Sequence, residues 1–171
     1  MPILAIFRIL LGAFFVIMGG SKLLAPYQNF LYVIQAYQIF NPPLEELAAR
    51  VVPWVEFFLG LFLVLGLWLK NVLNALLLLI TGFLVILGQA IVRGLPIDHC
   101  GCFGDWISVS LKTMFLFDSS SWLLTFLMVL RLKQTSLLSL DNYFSKSWWN
   151  EKILYFFIFF YDYVPIQFWW F

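Results

Sequence analysis

Charged side chains are scarce in this chain of 171 residues. Only 11% of the residues are Asp, Glu, Lys or Arg, whereas 63% are hydrophobic and the mean hydropathy is +0.94. A soluble domain has a much more polar composition, so these values exclude one and indicate an integral membrane protein. Ten basic and nine acidic side chains leave a net charge of +1, and this charge is too small to provide a basic surface for nucleic acid.

Cysteine and histidine are also rare, with two cysteines and one histidine in the whole chain. All three lie in the segment His99-Cys100-Gly101-Cys102, between long apolar runs. Any thiol or imidazole chemistry of this protein is therefore concentrated in one short segment, the two-cysteine loop.

Long apolar runs predict an all-α fold, an integral membrane four-helix bundle. A hydrocarbon core of about 30 Å needs about 20 residues of helix to cross it. The first run is expected to be a retained helix rather than a cleaved signal peptide, because it lacks a basic segment ahead of it and a small-residue cleavage site. The predicted spans are residues 3–21, 47–69, 72–92 and 107–132.

The remaining stretches are more polar or are interrupted. Residues 24–46 contain several tyrosines and glutamines, so they are predicted as an interfacial helix or an ordered loop rather than a span. The membrane domain is expected to comprise residues 1–132, followed by an aromatic-rich tail, residues 133–171. Asp162 and Pro165 interrupt the tail before it reaches spanning length. The tail is interpreted as an interfacial segment, with a fifth span as the alternative.

Lysine and arginine are distributed unevenly over the short connections. Cytoplasmic loops of membrane proteins carry an excess of these residues, which predicts a cytoplasmic N-terminus. The two-cysteine loop then lies outside the cytoplasm, where disulfides persist. In this orientation the inner residues are Lys70, Arg131, Lys133, Lys146 and Lys152, and the outer residues are Lys22, Arg50, Arg93 and Lys112.

One interpretation of the two-cysteine loop is a redox-active disulfide between Cys100 and Cys102. A ring with a single intervening residue is strained, and strain makes a disulfide easier to reduce. Gly101 permits the backbone angles that such a ring requires. Positive charge on His99 or Arg93 would favour the thiolate, which is the form of cysteine that reacts in exchange.

Two further interpretations concern the same loop. In the second interpretation, the cysteines are reduced or form a structural disulfide, because cysteine is a common small buried residue. In the third interpretation, the cysteines bind a metal ion together with Asp98, His99 and Asp105. Neighbouring ligands in so short a loop rarely enclose one ion, and the two-residue spacing of zinc cysteine pairs is absent. The sequence therefore predicts no metal site and leaves the redox and structural interpretations open.

Charged residues inside the apolar runs form a second candidate site. Glu56 lies in the second predicted span, and its carboxylate has to face the bundle or water because exposure to lipid would cost several kcal/mol. Lys22, at the end of the first span, is its predicted partner, and Arg8 is the competitor. Such a group is either a structural ion pair or a proton relay. Other polar residues expected in the same outer half are Gln89, Arg93, Lys112 and Asp118.

Three elements of the sequence form a pattern. They are Arg8-x-x-Leu11-Gly12-x-x-Phe15-x-x-x-Gly19-x-x-Lys22, then Pro53-x-x-Glu56-x-x-x-Gly60, and finally Arg93 followed by Cys100-Gly101-Cys102-Phe103-Gly104. With these elements the chain resembles the MauE/DoxX family of redox-associated bacterial membrane proteins. The cysteine segment is the specific part of the pattern. The resemblance covers about residues 8–131 and does not include the tail.

The resemblance implies a multi-pass protein of the bacterial inner membrane that handles thiols or disulfides outside the cytoplasm. Cys100 and Cys102 would exchange electrons with a periplasmic thioredoxin-like or disulfide-rich secreted protein, such as an amine dehydrogenase subunit in methylamine metabolism. His99 and Arg93 would tune the sulfurs, and a membrane quinone would be the electron acceptor. The alternative function is a non-catalytic membrane scaffold or chaperone, in which the cysteine pair only braces the loop.

Overall fold

The chain folds into an up-and-down helical bundle in the computed structural model, which describes residues 3–97 and 109–136. The helices are α1 (Ile3–Leu24), α2 (Tyr27–Ala36), α3 (Pro42–Leu65), α4 (Leu69–Arg93), α5 (Leu111–Leu130) and the single turn α6 (Leu132–Thr135). Helices α1, α3, α4 and α5 are long and apolar enough to cross a membrane. The predicted all-α membrane bundle with four spans is therefore confirmed.

Helices α1 and α3 run antiparallel and approach each other closely at three glycines. A Cβ atom on Gly19 would lie 2.6 Å from the backbone nitrogen of Phe57, and one on Gly60 would lie 2.7 Å from the carbonyl oxygen of Gly12. A side chain at these positions would overlap the backbone of the neighbouring helix. Small residues allow this kind of close packing between membrane helices.

Helices α4 and α5 form the second antiparallel pair. Trp122 on α5 donates a hydrogen bond from Nε1 to Oγ1 of Thr81 on α4, at 3.0 Å. The two pairs meet in a buried apolar core to which all four spans contribute. Its members include Leu11, Phe15, Leu63, Leu73, Ile80 and Met128. Helix α2 has ten residues, too few to span a bilayer, and packs mainly against α3.

The second span begins five residues earlier than the prediction of residue 47. Helix α3 starts at Pro42, because proline suits the first helical turn, where a backbone N–H has no partner within the helix. The carbonyl of Asn41 accepts from the backbone N–H groups of Leu44 at 2.9 Å and Glu45 at 3.1 Å. The polar residues before the apolar run therefore form the first turn of the same helix.

The fourth span begins at Leu111, whereas the sequence predicted a start near residue 107. The side-chain oxygen of Ser110 accepts from the backbone N–H of Thr113 at 3.3 Å and caps the helix. Residues 109 and 110 are not helical. The predicted tail lies almost entirely outside the described residues, which end at 136.

The bundle has two distinct ends. The Lys22 end is where α1 and α4 finish and α3 and α5 begin, and the Arg8 end is the opposite one, where α6 lies. The chain leaves the described region at Ile97, just after α4, and re-enters it at Val109, just before α5. Both points belong to the Lys22 end.

Candidate functional site

Lys22 and Glu56 form an ion pair between α1 and α3. Nζ of Lys22 donates to Oε1 and to Oε2 of Glu56, each at 2.8 Å. Glu56 has no exposed surface, and Lys22 is 5% exposed. The structure thus brings together the two residues that the sequence predicts as partners. Each charge depends on the other, because removing one partner of a buried pair leaves an uncompensated charge.

The glycine contacts between α1 and α3 set the position of this ion pair. Residues three or four apart lie on the same face of a helix. Gly19 and Lys22 therefore share the face of α1 that touches α3, and Glu56 and Gly60 share the facing surface of α3. The spacing that brings the two backbones together at Gly19 and Gly60 also aligns the ammonium with the carboxylate.

Aromatic rings surround the ammonium of Lys22. Its Nζ lies 4.8 Å from the ring centre of Phe30 on α2 and 5.9 Å from that of Phe83 on α4. A cation over a ring face within about 6 Å is attracted by the ring quadrupole. Neither ring is predicted from the sequence, because aromatic residues make up 20% of the chain and no spacing distinguishes these two.

An apolar cavity of about 150 Å³, the ion-pair cavity, lies beside Lys22 and Glu56. All five helices from α1 to α5 contribute to its wall. Apart from the ion pair, the wall consists mainly of aliphatic and aromatic side chains, among them Met18, Phe30, Tyr37, Val52, Phe83 and Met114. The charged pair therefore borders a space whose wall is mainly apolar.

The residues that flank the two-cysteine loop pack beside this cavity. Leu95 and Ile97 precede the loop and Val109 follows it, and all three pack against one buried apolar cluster. Its members include Met18, Tyr37, Leu87 and Met114, which also line the ion-pair cavity. The described attachment points of the loop and the cavity thus share a hydrophobic cluster at the Lys22 end.

Arg93 is the only predicted catalytic residue that lies within the described residues. It is exposed at the end of α4, and its Nη1 donates to the carbonyl oxygen of Gln38 at 3.3 Å. This bond connects α4 to the segment after α2. His99, Cys100 and Cys102 lie outside the described residues, so the influence of Arg93 on the sulfurs stays a prediction.

Arg8 does not contact Glu56. Its Nη1 donates to the carbonyl oxygen of Thr135 at 3.0 Å, and the residue is fully buried. Arg8 and Lys22 are near opposite ends of α1, about 21 Å apart at a rise of about 1.5 Å per residue. The hypothesis that Arg8 competes for Glu56 therefore requires correction, because the length of the helix separates the two groups.

Asp118 on α5 adds a second buried carboxyl group near the ion pair. It is 3% exposed, and its charge interacts with those of Glu56 and Lys22. Its Oδ2 atom is buried without a hydrogen-bond partner among the described residues, and so is Oε1 of Gln89 on α4. Polar groups from four helices thus lie inside the bundle, in the half toward the Lys22 end.

A family model described as methylamine utilisation protein MauE matches residues 1–131. The chain belongs to the MauE family. The match includes the ion pair, Asp118 and the two-cysteine loop, and it ends one residue after α5. No curated protein and no solved structure matches the chain. This MauE-family chain is a multi-pass membrane protein whose candidate site residues all lie within the matched region.

Proposed function

We propose that this MauE-family protein exchanges disulfides on the extracytoplasmic side of a bacterial inner membrane, through Cys100 and Cys102. Its N-terminus faces the cytoplasm in this proposal. The partner is a thioredoxin-like or disulfide-containing secreted protein. The name of the family suggests a partner used in methylamine utilisation, such as an amine dehydrogenase subunit.

The observation that carries this proposal is the attachment of the two-cysteine loop. Leu95, Ile97 and Val109 pack on the cluster that also lines the ion-pair cavity. A pair of thiols held at that end would be close to a buried set of charged and polar groups. Such groups cluster at sites of proton and electron transfer more often than elsewhere in a protein.

The proposed exchange proceeds through a mixed disulfide. A partner thiolate attacks one sulfur of the Cys100–Cys102 disulfide and forms a mixed disulfide, and the other sulfur leaves as a thiolate. A second partner thiolate then attacks the mixed disulfide, so that the partner becomes oxidised and the cysteine pair becomes reduced. His99 and Arg93 favour the leaving thiolate by their positive charge. Lys22 and Glu56 hold the bundle together or relay the released protons.

Thiol trapping in native membranes tests the exchange. Membranes that contain the full chain are incubated with a reduced partner dithiol, quenched in acid and alkylated with a reagent of known mass. We expect the mass of two alkyl groups to appear on the chain as the disulfide is reduced. The Cys100→Ser/Cys102→Ser variant is the control, since the chain has no other cysteine.

Two outcomes would contradict this proposal. A cysteine pair that never changes its oxidation state would support the scaffold function, in which the disulfide only braces the loop. Labelling of reduced cysteines by a membrane-impermeant maleimide only after the cytoplasmic side is opened would refute the extracytoplasmic placement.

A further inference from the structure

One row of side chains along α3 carries two opposite charges and then three aromatic rings. Glu46 and Arg50 are exposed and lie one turn apart. The aromatic stripe, which consists of Trp54, Phe58 and Phe62, continues the row at the same interval of four residues. Side chains four residues apart are neighbours on a helix surface. From the Lys22 end toward the middle of the bundle, the row therefore presents a negative charge, a positive charge and an apolar surface.

The aromatic stripe belongs to a shallow groove on the outer surface of the bundle, the α3 groove. The ring centres of Trp54 and Phe58 are 5.8 Å apart, and those of Phe58 and Phe62 are 6.3 Å apart. All the residues that line the groove belong to α3, so it faces away from the other helices. The remaining lining residues are Arg50, Val51, Val55 and Leu59. Apart from Arg50, the groove thus offers only apolar and aromatic side chains to the lipid.

The length of the α3 groove matches one leaflet of a bilayer. Phe62 follows Arg50 by twelve residues, which is about 18 Å at a rise of about 1.5 Å per residue. One leaflet is half of a hydrocarbon core of about 30 Å. Helix α3 begins at the Lys22 end, and its exposed side chains after Arg50 are apolar. Arg50 therefore marks the boundary between head groups and acyl chains on that side of the membrane.

Arg50 contacts an aromatic ring but has no countercharge among residues 3–97 and 109–136. Its guanidinium carbon lies 4.9 Å from the ring centre of Tyr27 on α2. The ion pair within these residues is the one between Lys22 and Glu56. A guanidinium has five N–H donors and binds a phosphate through two parallel hydrogen bonds. At the boundary between head groups and acyl chains, the phosphate of a lipid is the anion that meets this side chain.

We propose that α3 binds one zwitterionic phospholipid with a primary amine, its phosphate on Arg50, its ammonium on Glu46 and an acyl chain in the α3 groove. Glu46 lies about 6 Å farther toward water than Arg50, at a rise of about 1.5 Å per residue. The ammonium of such a lipid likewise follows the phosphate by a short ethylene link. An anionic phospholipid would pair with Arg50 and be repelled by Glu46. The site includes no residue of the proposed disulfide exchange.

Native mass spectrometry of the delipidated full chain in detergent tests this site. The protein is titrated separately with dioleoyl phosphatidylethanolamine and with dioleoyl phosphatidylglycerol. The intensities of the free and lipid-bound ions give a Kd for each lipid. We expect one phosphatidylethanolamine to bind per chain, about fivefold more tightly than phosphatidylglycerol, because only the former has an ammonium for Glu46.

The two charged residues are tested by variants with different expected effects. Arg50→Gln should raise Kd about tenfold for both lipids, since both contain a phosphate. Lys112→Gln replaces an exposed lysine at the same end and should change neither Kd. Glu46→Gln should raise Kd about threefold for phosphatidylethanolamine alone. If Glu46 only screened the charge of Arg50, Glu46→Gln would instead lower both Kd values.

The apolar part of the site is tested by Phe58→Ala, which should raise Kd about threefold through lost contact with the acyl chain. Phe126→Ala, at a lipid-facing position of α5, should leave Kd unchanged. Thermal unfolding establishes that each variant is folded.

Four outcomes would each overturn the proposal. They are equal Kd values of the wild type for the two lipids, an unchanged Kd in Arg50→Gln, tighter binding of both lipids to Glu46→Gln, and equal Kd values for Phe58→Ala and Phe126→Ala. A dimer in the same spectra that Phe58→Ala dissociates would also overturn it, because the α3 groove would then bind a second copy of the chain.

Discussion

The two ends of the bundle use a buried cation of α1 in different ways. At the Arg8 end, a guanidinium binds the carbonyl oxygen of Thr135. At the Lys22 end, an ammonium binds the carboxylate of Glu56 beside a cavity. A guanidinium stays protonated in proteins and a backbone carbonyl takes no proton. The Arg8 contact therefore has one protonation state and holds α6 against α1. The Lys22 end instead contains the carboxyl groups of Glu56 and Asp118, which are able to exchange protons.

The largest expected effect comes from removing one partner of the ion pair. Lys22→Met leaves the Glu56 carboxylate buried alone and should lower the free energy of unfolding by about 3–5 kcal/mol. Adding Glu56→Gln to Lys22→Met should restore part of this loss. Chemical denaturation of the purified protein in detergent measures both changes.

The control for this prediction is Lys70→Met, which replaces an exposed lysine. It should change stability by less than about 0.5 kcal/mol. If Lys22→Met were no more destabilising than Lys70→Met, the ion pair would not be important for the fold.

A smaller effect is expected at the opposite end. Arg8→Met removes the hydrogen bond to Thr135 and should lower the free energy of unfolding by about 1.5–3 kcal/mol. It should not alter the thiol trapping of Cys100 and Cys102, because the residues that flank their loop pack at the other end of the bundle. Arg131→Met replaces an exposed arginine nearby and provides the comparison. A change in thiol trapping in Arg8→Met would show that the two ends are coupled.

A third prediction concerns the interface that both ends share. Gly60→Ala places a methyl group against the backbone of α1 and should destabilise the bundle by about 1–3 kcal/mol. Gly82→Ala is the matched variant, because a Cβ atom there meets nothing within 4 Å. It should leave stability unchanged or raise it slightly. Equal melting temperatures for the two variants would contradict the close packing of α1 and α3.

The smallest expected effect is confined to the Lys22 end. Ser110→Ala removes the cap of α5 and should cost about 1 kcal/mol. Ser120→Ala, in the interior of the same helix, should change the free energy of unfolding by only a few tenths of about 1 kcal/mol. Hydrogen exchange of the first turn of α5 distinguishes local fraying from global unfolding. Protection that stays equal in both variants would argue against a capping role for Ser110.

Much of this architecture follows from strong local rules. A buried charge needs a partner, so the position of Glu56 in an apolar run predicts an ion pair with Lys22. The same reasoning predicts that Arg8 competes with Lys22 for Glu56. This prediction is wrong, because Arg8 donates to a backbone carbonyl at the other end of α1. Every residue of the chain has such a carbonyl, so no sequence signal distinguishes Thr135 as the acceptor.

The ion-pair cavity was not predictable from the sequence. Its wall combines residues from five helices, and their convergence depends on packing that no local pattern encodes. Phe30 belongs to α2, a segment predicted only as interfacial, and Phe83 belongs to an uncharged span full of similar residues. The start of α3 at Pro42 is hard to predict for a related reason, because a run of polar residues and prolines resembles a loop unless the helix that follows it is considered.

The order of synthesis gives the partners of α1 a further importance. Glu56 follows Lys22 by 34 residues, and Thr135 follows Arg8 by 127. The first helix therefore leaves the ribosome before Glu56 and Thr135 have been made, and lipid is a poor environment for the charges of Lys22 and Arg8. The two contacts therefore form in order, the one with Glu56 once α3 has been delivered and the one with Thr135 only when the turn after α5 arrives.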